Sequence, residues 1–322
     1  MKKYKVVVTD DRYGSYKEEN KVLSELGITV DIHNFSIPEE AKKILKDADA
    51  VLVNLFLLTK DIIDSMENCR VIVRYGVGYD NVDVDAATAK GIWMSRVPDY
   101  SLEDVSDHAL ALLLSSVRKI AYKDRKVREG KWNLHKDWPA FRIAGKTLGI
   151  LGFGAIARVL FRKISSLGLE KVLIYDPYVP TAEIEKLGGT PASLEDLVSQ
   201  SDFISIHAPL TKETEGIISE KEFTDMKANC ILVNTSRGPL VNEEALYQAL
   251  KNGQIAAAGI DVFNSEPLTA NSPLRTLENI TLTDHTGWYS EESIVELKTK
   301  AAENVLAVLK GGKPVYPVNN IE

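Results

Sequence analysis

The sequence predicts an α/β protein built on parallel sheets with helices on both faces. Three observations carry that expectation. Short β-branched runs alternate with helix-like stretches along the chain, which is the order of βαβ crossovers. The runs are continuously apolar rather than alternating, as in strands covered on both sides. A length of 322 residues, 44% of them hydrophobic and 26% charged, suffices for two domains with separate cores, at roughly 100–200 residues per domain.

In chain order, Tyr4 to Thr9 reads as a first strand ending at Asp10-Asp11. A helix follows up to Leu26 and is stopped by Gly27. Ile28 to Ile32 is the next strand and Glu39 to Leu45 the next helix. Ala50 to Leu55 and Val71 to Arg74 are further strands, with a short helix at Lys60 to Met66 between them. Ser101-Leu102-Glu103-Asp104 has the form of a capping box. The apolar spacing after it (Val105, Ala109, Leu112, Leu113, Val117, Ile120) predicts one long helix to about Gly130, the connector into the second domain. Strands then start near Leu148, Lys171, Asp202, Cys230 and Ile255, with a last one from Ile280 to Thr283. A C-terminal helix from about Ser290 to Leu309 is closed by Gly311-Gly312 and Pro314, and is expected to return to the N-terminal domain. The expected division is therefore 1–99 with 288–322 as one domain and 100–287 as the other.

The second domain carries the most specific local pattern. The strand up to Leu151 is followed by Gly152-Phe153-Gly154-Ala155-Ile156-Ala157 and a helix. The first glycine allows a tight turn and the second lets the backbone approach a pyrophosphate. The helix start offers free N–H groups and a positive dipole end, and Ala157 permits close helix–strand packing. The next strand, Lys171 to Tyr175, ends in Asp176-Pro177, about twenty residues on, where an acid meets the adenosine ribose hydroxyls and repels a 2′-phosphate. The pattern predicts a site for NAD rather than NADP.

The formal net charge of −7, without a basic tail, argues against nucleic acid or an anionic membrane as main partner. The most apolar stretches are shorter than the ~18 residues of a membrane span, and Met1-Lys2-Lys3-Tyr4-Lys5 leads into a strand without a signal-like apolar region. A cytoplasmic setting is expected. Cys69 and Cys230 read as small buried hydrophobes, with no metal-ligand spacing.

Three segments place polar residues just after apolar strands, where a parallel sheet opens its ligand crevice. One delivers Arg237, the second Asp261 and Glu266, and the third His285. An Arg fork suits a carboxylate or carbonyl, and a His exchanges protons near neutrality. A Glu on the other ring nitrogen fixes its tautomer and raises its pKa. His108, in the long helix, reads as core packing, and His33, His135 and His207 as ordinary residues.

With these residues in place, the chain resembles the D-isomer-specific 2-hydroxyacid dehydrogenases over essentially its whole length. The carrying motifs are Arg74-Tyr75-Gly76-Val77-Gly78-Tyr79-Asp80, the glycine loop with Asp176-Pro177, His207-Ala208-Pro209 with Thr214, Asn234-Thr235-Ser236-Arg237-Gly238, Asp261-Val262-Phe263 with Glu266-Pro267, and Asp284-His285-Thr286-Gly287. The resemblance implies two Rossmann-like domains, one flavodoxin-like and one NAD-binding, with an interdomain cleft and a homodimer through the NAD-binding domain. It implies His285 as acid/base, Glu266 as its partner and Arg237 as the group orienting a 2-oxo acid. The amides of Val77 and Gly78 would hold the substrate carboxylate, and Asp261 would contact the nicotinamide carboxamide. Ala208, Pro209, Thr214, Thr235, Ser236 and Gly287 would line the NAD channel.

Arg74 and the run from His285 to Glu292 are most similar to the branch of the C-terminal binding protein corepressors and the phosphoglycerate-dehydrogenase-related enzymes. There Arg74 and Trp288 would reach the substrate pocket, interdomain packing being the other reading of Trp288. Asn54-Leu55-Phe56 with Trp288 suggest apolar volume beside the carboxylate. Two departures stand out: Asp284 where proline commonly precedes the histidine, either raising its pKa or facing solvent, and Pro239, expected to stiffen the arginine loop. The expected activity is hydride transfer between NADH and C2 of a small 2-oxo acid. The alternative is an NAD(H)-sensing corepressor-like or scaffold protein with incidental turnover.

Overall fold

The computed structural model describes residues 4–132 and 139–321, so His135 lies outside the described residues. Two compact units are present: 1–101 with 290–322, and 102–289.

The first unit begins β1 (Val6–Val8), α1 (Lys17–Leu23), β2 (Asp31–Ile32), α2 (Pro38–Leu45), β3 (Ala50–Val53), α3 (Lys60–Ser65), β4 (Val71–Arg74), α4 (Val84–Ala89) and β5 (Trp93–Ser95). The five strands are parallel in the order β2-β1-β3-β4-β5. Every residue of β1 and β3 is fully buried, the burial that continuous apolar runs require. The reading up to Arg74 passes over α4 and β5, and of its second strand only Asp31–Ile32 pairs.

The second unit opens on α5 (Leu102–Arg118) and α6 (Ile120–Arg128). The single long helix expected there is broken at Lys119, whose backbone is left-handed at φ 56°. The capping box also fails to form: the Ser101 hydroxyl is buried without a hydrogen-bond partner. Then come β6 (Thr147–Leu151), α7 (Ala155–Ile164), β7 (Lys171–Tyr175), α8 (Thr181–Lys186), β8 (Thr190–Pro191), α9 (Leu194–Gln200), β9 (Phe203–Ile206), α10 (Glu220–Asp225), β10 (Ile231–Asn234), α11 (Glu243–Lys251), β11 (Ala257–Ile260) and β12 (Ile280–Leu282). The seven strands are parallel in the order β12-β11-β10-β9-β6-β7-β8.

Because side chains alternate across a strand, this sheet feeds two cores. Leu148 and Ile150 join Leu112, Phe153 and Leu160 on one face, while Leu151 joins Leu197, Ile206 and Leu246 on the other. The strand order reverses between β6 and β9, which opens a ligand crevice at their carboxyl ends. After Tyr289 the chain returns to the first unit as α12 (Glu291–Leu309), started by a capping box in which Ser290 Oγ accepts from Ser293 N–H at 2.9 Å. Among the described residues no helix is long and apolar enough to cross a membrane.

Candidate functional site

At the end of β6, Gly152 turns with φ 86°, and a Cβ there would stand 2.5 Å from the backbone nitrogen of Ala208. Only glycine fits both conditions. Ala208 is buried against this turn, and Thr214 ties the following loop by donating to the Pro209 carbonyl at 2.7 Å and accepting from Thr211 N–H at 2.8 Å. Phe153 puts its ring into the core, edge-on to Phe161 at 5.8 Å, leaving only its backbone toward the loop. Its N–H donates to Asp176 Oδ2 at 2.7 Å, and the other Asp176 oxygen accepts from Tyr178 N–H at 2.9 Å, so the acid after β7 is held on the glycine turn.

Gly154 caps α7 with no side-chain bond, and a Cβ on it would meet nothing within 4 Å. The amides of Ala155 and Ile156 follow in the helix's first turn. Open space at a helix N-terminus suits a pyrophosphate. A second fit is Thr235, just past β10, whose buried Oγ1 has no partner and is available to a ligand hydroxyl or amide. These residues fit a dinucleotide.

Next to Thr235, the Ser236 hydroxyl donates to the Ile206 carbonyl at 2.9 Å and the Asn234 amide donates to the Arg237 carbonyl at 2.9 Å. Arg237 is extended at φ −142° and leads into the Gly238–Leu240 turn, which has Pro239 at its centre. The structure brings three of the sequence candidates together. His285 Nδ1 and Glu266 Oε2 lie 2.6 Å apart, Glu266 Oε1 accepts from Phe263 N–H at 3.0 Å, and the Arg237 charge acts on the same carboxylate. Burial works to raise the Glu266 carboxyl, but the His285 hydrogen bond, the Phe263 amide and the Arg237 charge outweigh it and hold it below its ordinary value. An ionised Glu266 must accept, so Nδ1 of His285 carries the hydrogen and Nε2 is left to face a ligand.

His285 itself has φ 56°, a left-handed backbone that a non-glycine residue keeps only when its surroundings impose it. The imposing group is Asp261, 1% exposed at the end of β11. Its Oδ1 accepts from Thr283 Oγ1 at 2.6 Å and Thr286 N–H at 3.1 Å, its Oδ2 accepts from Gly287 N–H at 3.0 Å, and its carbonyl accepts from His285 N–H at 2.9 Å. His108 Nε2 stands 3.3 Å from Oδ1 and 3.0 Å from Thr283 Oγ1. Burial raises Asp261, while His108, Thr283 and the Gly287 amide bring it below its ordinary value. His108, read from sequence as core packing, is thus part of the loop's anchor. The signal for it was its place on the Val105–Ala109–Leu112 face of α5. Asp284, exposed, accepts from Thr286 Oγ1 at 2.9 Å, which is the solvent-facing alternative. Trp288 donates Nε1–H to the His285 carbonyl at 2.9 Å and packs edge-on against Tyr289 at 5.8 Å.

The remaining candidates lie in the first unit. Asn54 is buried at the end of β3. Its N–H donates to Asp10 Oδ1 at 3.0 Å, and its side-chain amide donates to the Tyr13 hydroxyl at 3.3 Å. After β4, Gly76 turns at φ 137° and Arg74 folds across it, with Nη1 1.7 Å from where a Cβ would stand. The Val77 carbonyl accepts from Arg96 Nη1 at 3.0 Å, which fixes the loop ahead of Gly78. Tyr13 and Arg96 belong to no motif, and Tyr75 stands in the sequence only as a member of the Arg74–Asp80 motif, with no role of its own.

Comparison with known proteins identifies the family. The family profile described as "D-isomer specific 2-hydroxyacid dehydrogenase, NAD binding domain" matches residues 110–287. The chain is 39% identical over 301 residues to a glyoxylate reductase of Korarchaeum cryptofilum, covering 90% of this chain and 89% of that protein. It is 38% identical over 309 residues to a D-3-phosphoglycerate dehydrogenase of Methanocaldococcus jannaschii, covering 95% of this chain but only 58% of that longer protein. The crystal structure of a glyoxylate reductase from Paecilomyes thermophila superposes with a TM-score of 0.88 at 28% identity, covering 99% of both chains. The chain belongs to the D-isomer-specific 2-hydroxyacid dehydrogenases and carries that family's NAD-binding domain.

Proposed function

We propose that this chain reduces a small, unphosphorylated 2-oxo acid such as glyoxylate or hydroxypyruvate, with His285 as the acid/base. The observation that carries the reading is the His285–Glu266 pair at 2.6 Å, on a left-handed loop pinned by Asp261 and next to the Arg237 charge. Bound NADH supplies the hydride. His285 Nε2 gives a proton to the oxygen at C2, and Glu266 stabilises the ring in either protonation state, a proton transfer worth roughly 10²–10⁴-fold in rate. Arg237 orients and polarises the oxo group through its planar fork. The amides of Val77 and Gly78 and the Arg74 guanidinium take the carboxylate, while Asn54 and Trp288 bound the substituent.

For the cofactor, Gly152 and Gly154–Ile156 hold the pyrophosphate and Asp176 with Pro177 the adenosine ribose. Ala208, Pro209, Thr214, Thr235, Ser236, Asp261 and Gly287 line the remainder. A homodimer through the NAD-binding unit is supported by Ile120, Val127 and Trp132, apolar side chains 57, 47 and 76% exposed on and just after α6.

The test is NADH consumption, followed by absorbance, across glyoxylate, hydroxypyruvate, pyruvate, phenylpyruvate, 2-oxoisocaproate and phosphohydroxypyruvate. Saturable turnover of glyoxylate or hydroxypyruvate is expected. Preferred turnover of phosphohydroxypyruvate would overturn the substrate class, and silence across the panel with NADH tightly bound would overturn the reductase reading.

A further inference from the structure

The first unit holds buried polar groups that this chemistry does not use. Glu19 of α1 is 0% exposed and Lys298 of α12 is 2% exposed. The Lys298 ammonium pairs with Glu18 at 2.5 Å and stands 3.6 Å from Glu19 Oε2, so one cation serves two carboxylates. It also donates to the Ser15 carbonyl and lies over the Tyr16 ring at 5.6 Å. Glu19 Oε1 accepts from the Tyr75 hydroxyl at 2.8 Å. Burial pushes the Tyr75 phenol well up, which keeps it a donor, and burial likewise raises Glu19 against its hydrogen bonds and the Lys298 charge.

Tyr75 stands between Arg74 and Gly76. Its ring, 2% exposed, packs edge-on against Tyr13 with centroids 5.4 Å apart, and the Tyr13 oxygen accepts from the Asn54 amide at 3.3 Å. A continuous line of contacts therefore runs from Lys298 through Glu19, Tyr75 and Tyr13 to Asn54. The Arg74–Gly78 loop is fixed at one end by Tyr75 N–H to the Val53 carbonyl at 2.8 Å and at the other by Arg96 to the Val77 carbonyl at 3.0 Å. The Tyr75 hydroxyl is the inward tether between them. For stability alone, apolar residues of the same volume serve as well as a buried charge set.

We propose that Tyr75 and Glu19, with Lys298 behind them, are positioning residues that hold the Arg74–Gly78 loop and Asn54 in the geometry that receives the substrate carboxylate. This rests on the substrate role given to that loop above. Such a device acts on binding of the carboxylate in ground and transition state alike, so its loss appears in KM and not in kcat.

Tyr75→Phe keeps the ring and removes only the hydroxyl. With the full chain, NADH and glyoxylate, it is expected to raise KM by about 5- to 20-fold, part of what one hydrogen bond to a buried carboxylate is worth, with kcat and NADH affinity within about twofold. Glu19→Gln keeps an acceptor for the Tyr75 hydroxyl and is expected to raise KM by no more than about threefold. Arg74→Leu tests the loop's substrate role by itself. If Arg74→Leu raises KM while Tyr75→Phe lowers only the melting temperature, or only kcat, the positioning role is overturned and the loop's role stands. If neither changes KM, the loop's substrate role falls and the positioning role with it.

Discussion

The glycine loop offers a paired perturbation in which stability and nucleotide binding separate. Gly154 has φ −74° and open space where a Cβ would stand, so Gly154→Ala strains nothing in the free protein. Alanine gains about 0.4–1 kcal/mol by restricting the unfolded chain and loses up to about 1 kcal/mol as a poorer helix cap than glycine. The two nearly cancel, and the melting temperature without ligand is expected within about 4 °C of wild type. The new methyl fills the space a phosphate needs. Loss of one charge-assisted N–H bond, about 1.5–3 kcal/mol, weakens NADH by about 10- to 150-fold.

Gly152→Ala is the contrast. Its φ of 86° costs an L-residue about 1–2 kcal/mol, and a Cβ 2.5 Å from Ala208 N adds about 1–3 kcal/mol of overpacking. The expected loss of about 2–5 kcal/mol lowers the melting temperature by about 4–20 °C even without ligand. Thermal melts of the free proteins and NADH fluorescence titrations measure both quantities. Wild-type NADH affinity in Gly154→Ala would refute the loop as phosphate cradle, and a wild-type melt for Gly152→Ala would refute the argument from close approach.

Three further outcomes are expected. His285→Gln reduces turnover by at least about 10²-fold and leaves the NADH dissociation constant within about threefold, and retained turnover with lost binding would sink the acid/base assignment. Burial pushes the His207 imidazole from 6.5 down to about 4, with its Nε2 2.8 Å from Ser205 Oγ. The unfolded chain therefore takes up a proton as pH falls below 6.5 while the native state does not until about 4. Stability is full above the upper value and declines toward the lower, and His207→Gln should flatten that part of a melting-temperature profile. If the proposed homodimer forms through α6, light scattering gives a dimer mass for wild type and a monomer mass for Val127→Glu combined with Ile120→Glu; a monomeric wild type would refute the dimer, and a dimeric variant would refute this interface.

What the sequence discloses follows from how local each signal is. The turn at Gly152, the strands from Thr147, Lys171 and Ile231, and the cap at Ser290 are set by a few neighbouring residues, and so they can be read directly. The break at Lys119 has no such signature, since no glycine or proline stands there and the apolar period runs on into Ile120. β5 and α4 are too short to show a period at all. Glu266 and His285 could be singled out because each follows a strand, but the partners of Asp261 could not. His108 and Thr283 lie 153 and 22 residues away from it and meet it only through packing. Tyr75, bound to Glu19 56 positions earlier, was hidden for the same reason.

The discontinuity of the first unit bears on how the protein is made. Its five strands are complete by Ser95, yet the helix carrying Lys298 begins only at Glu291. At about 5–20 residues per second, translation of the intervening second unit takes roughly 10–40 s. During that interval Glu18 and Glu19 await Lys298, although Glu18 keeps Lys17 at 3.5 Å. The nascent first unit therefore leaves the ribosome with the apolar surface that Leu297, Ala301, Val305 and Val308 of α12 later cover still open around these acids. It becomes the segment on which chaperone engagement and proteolytic loss during synthesis should concentrate, while the second unit is contiguous in sequence and awaits no later segment.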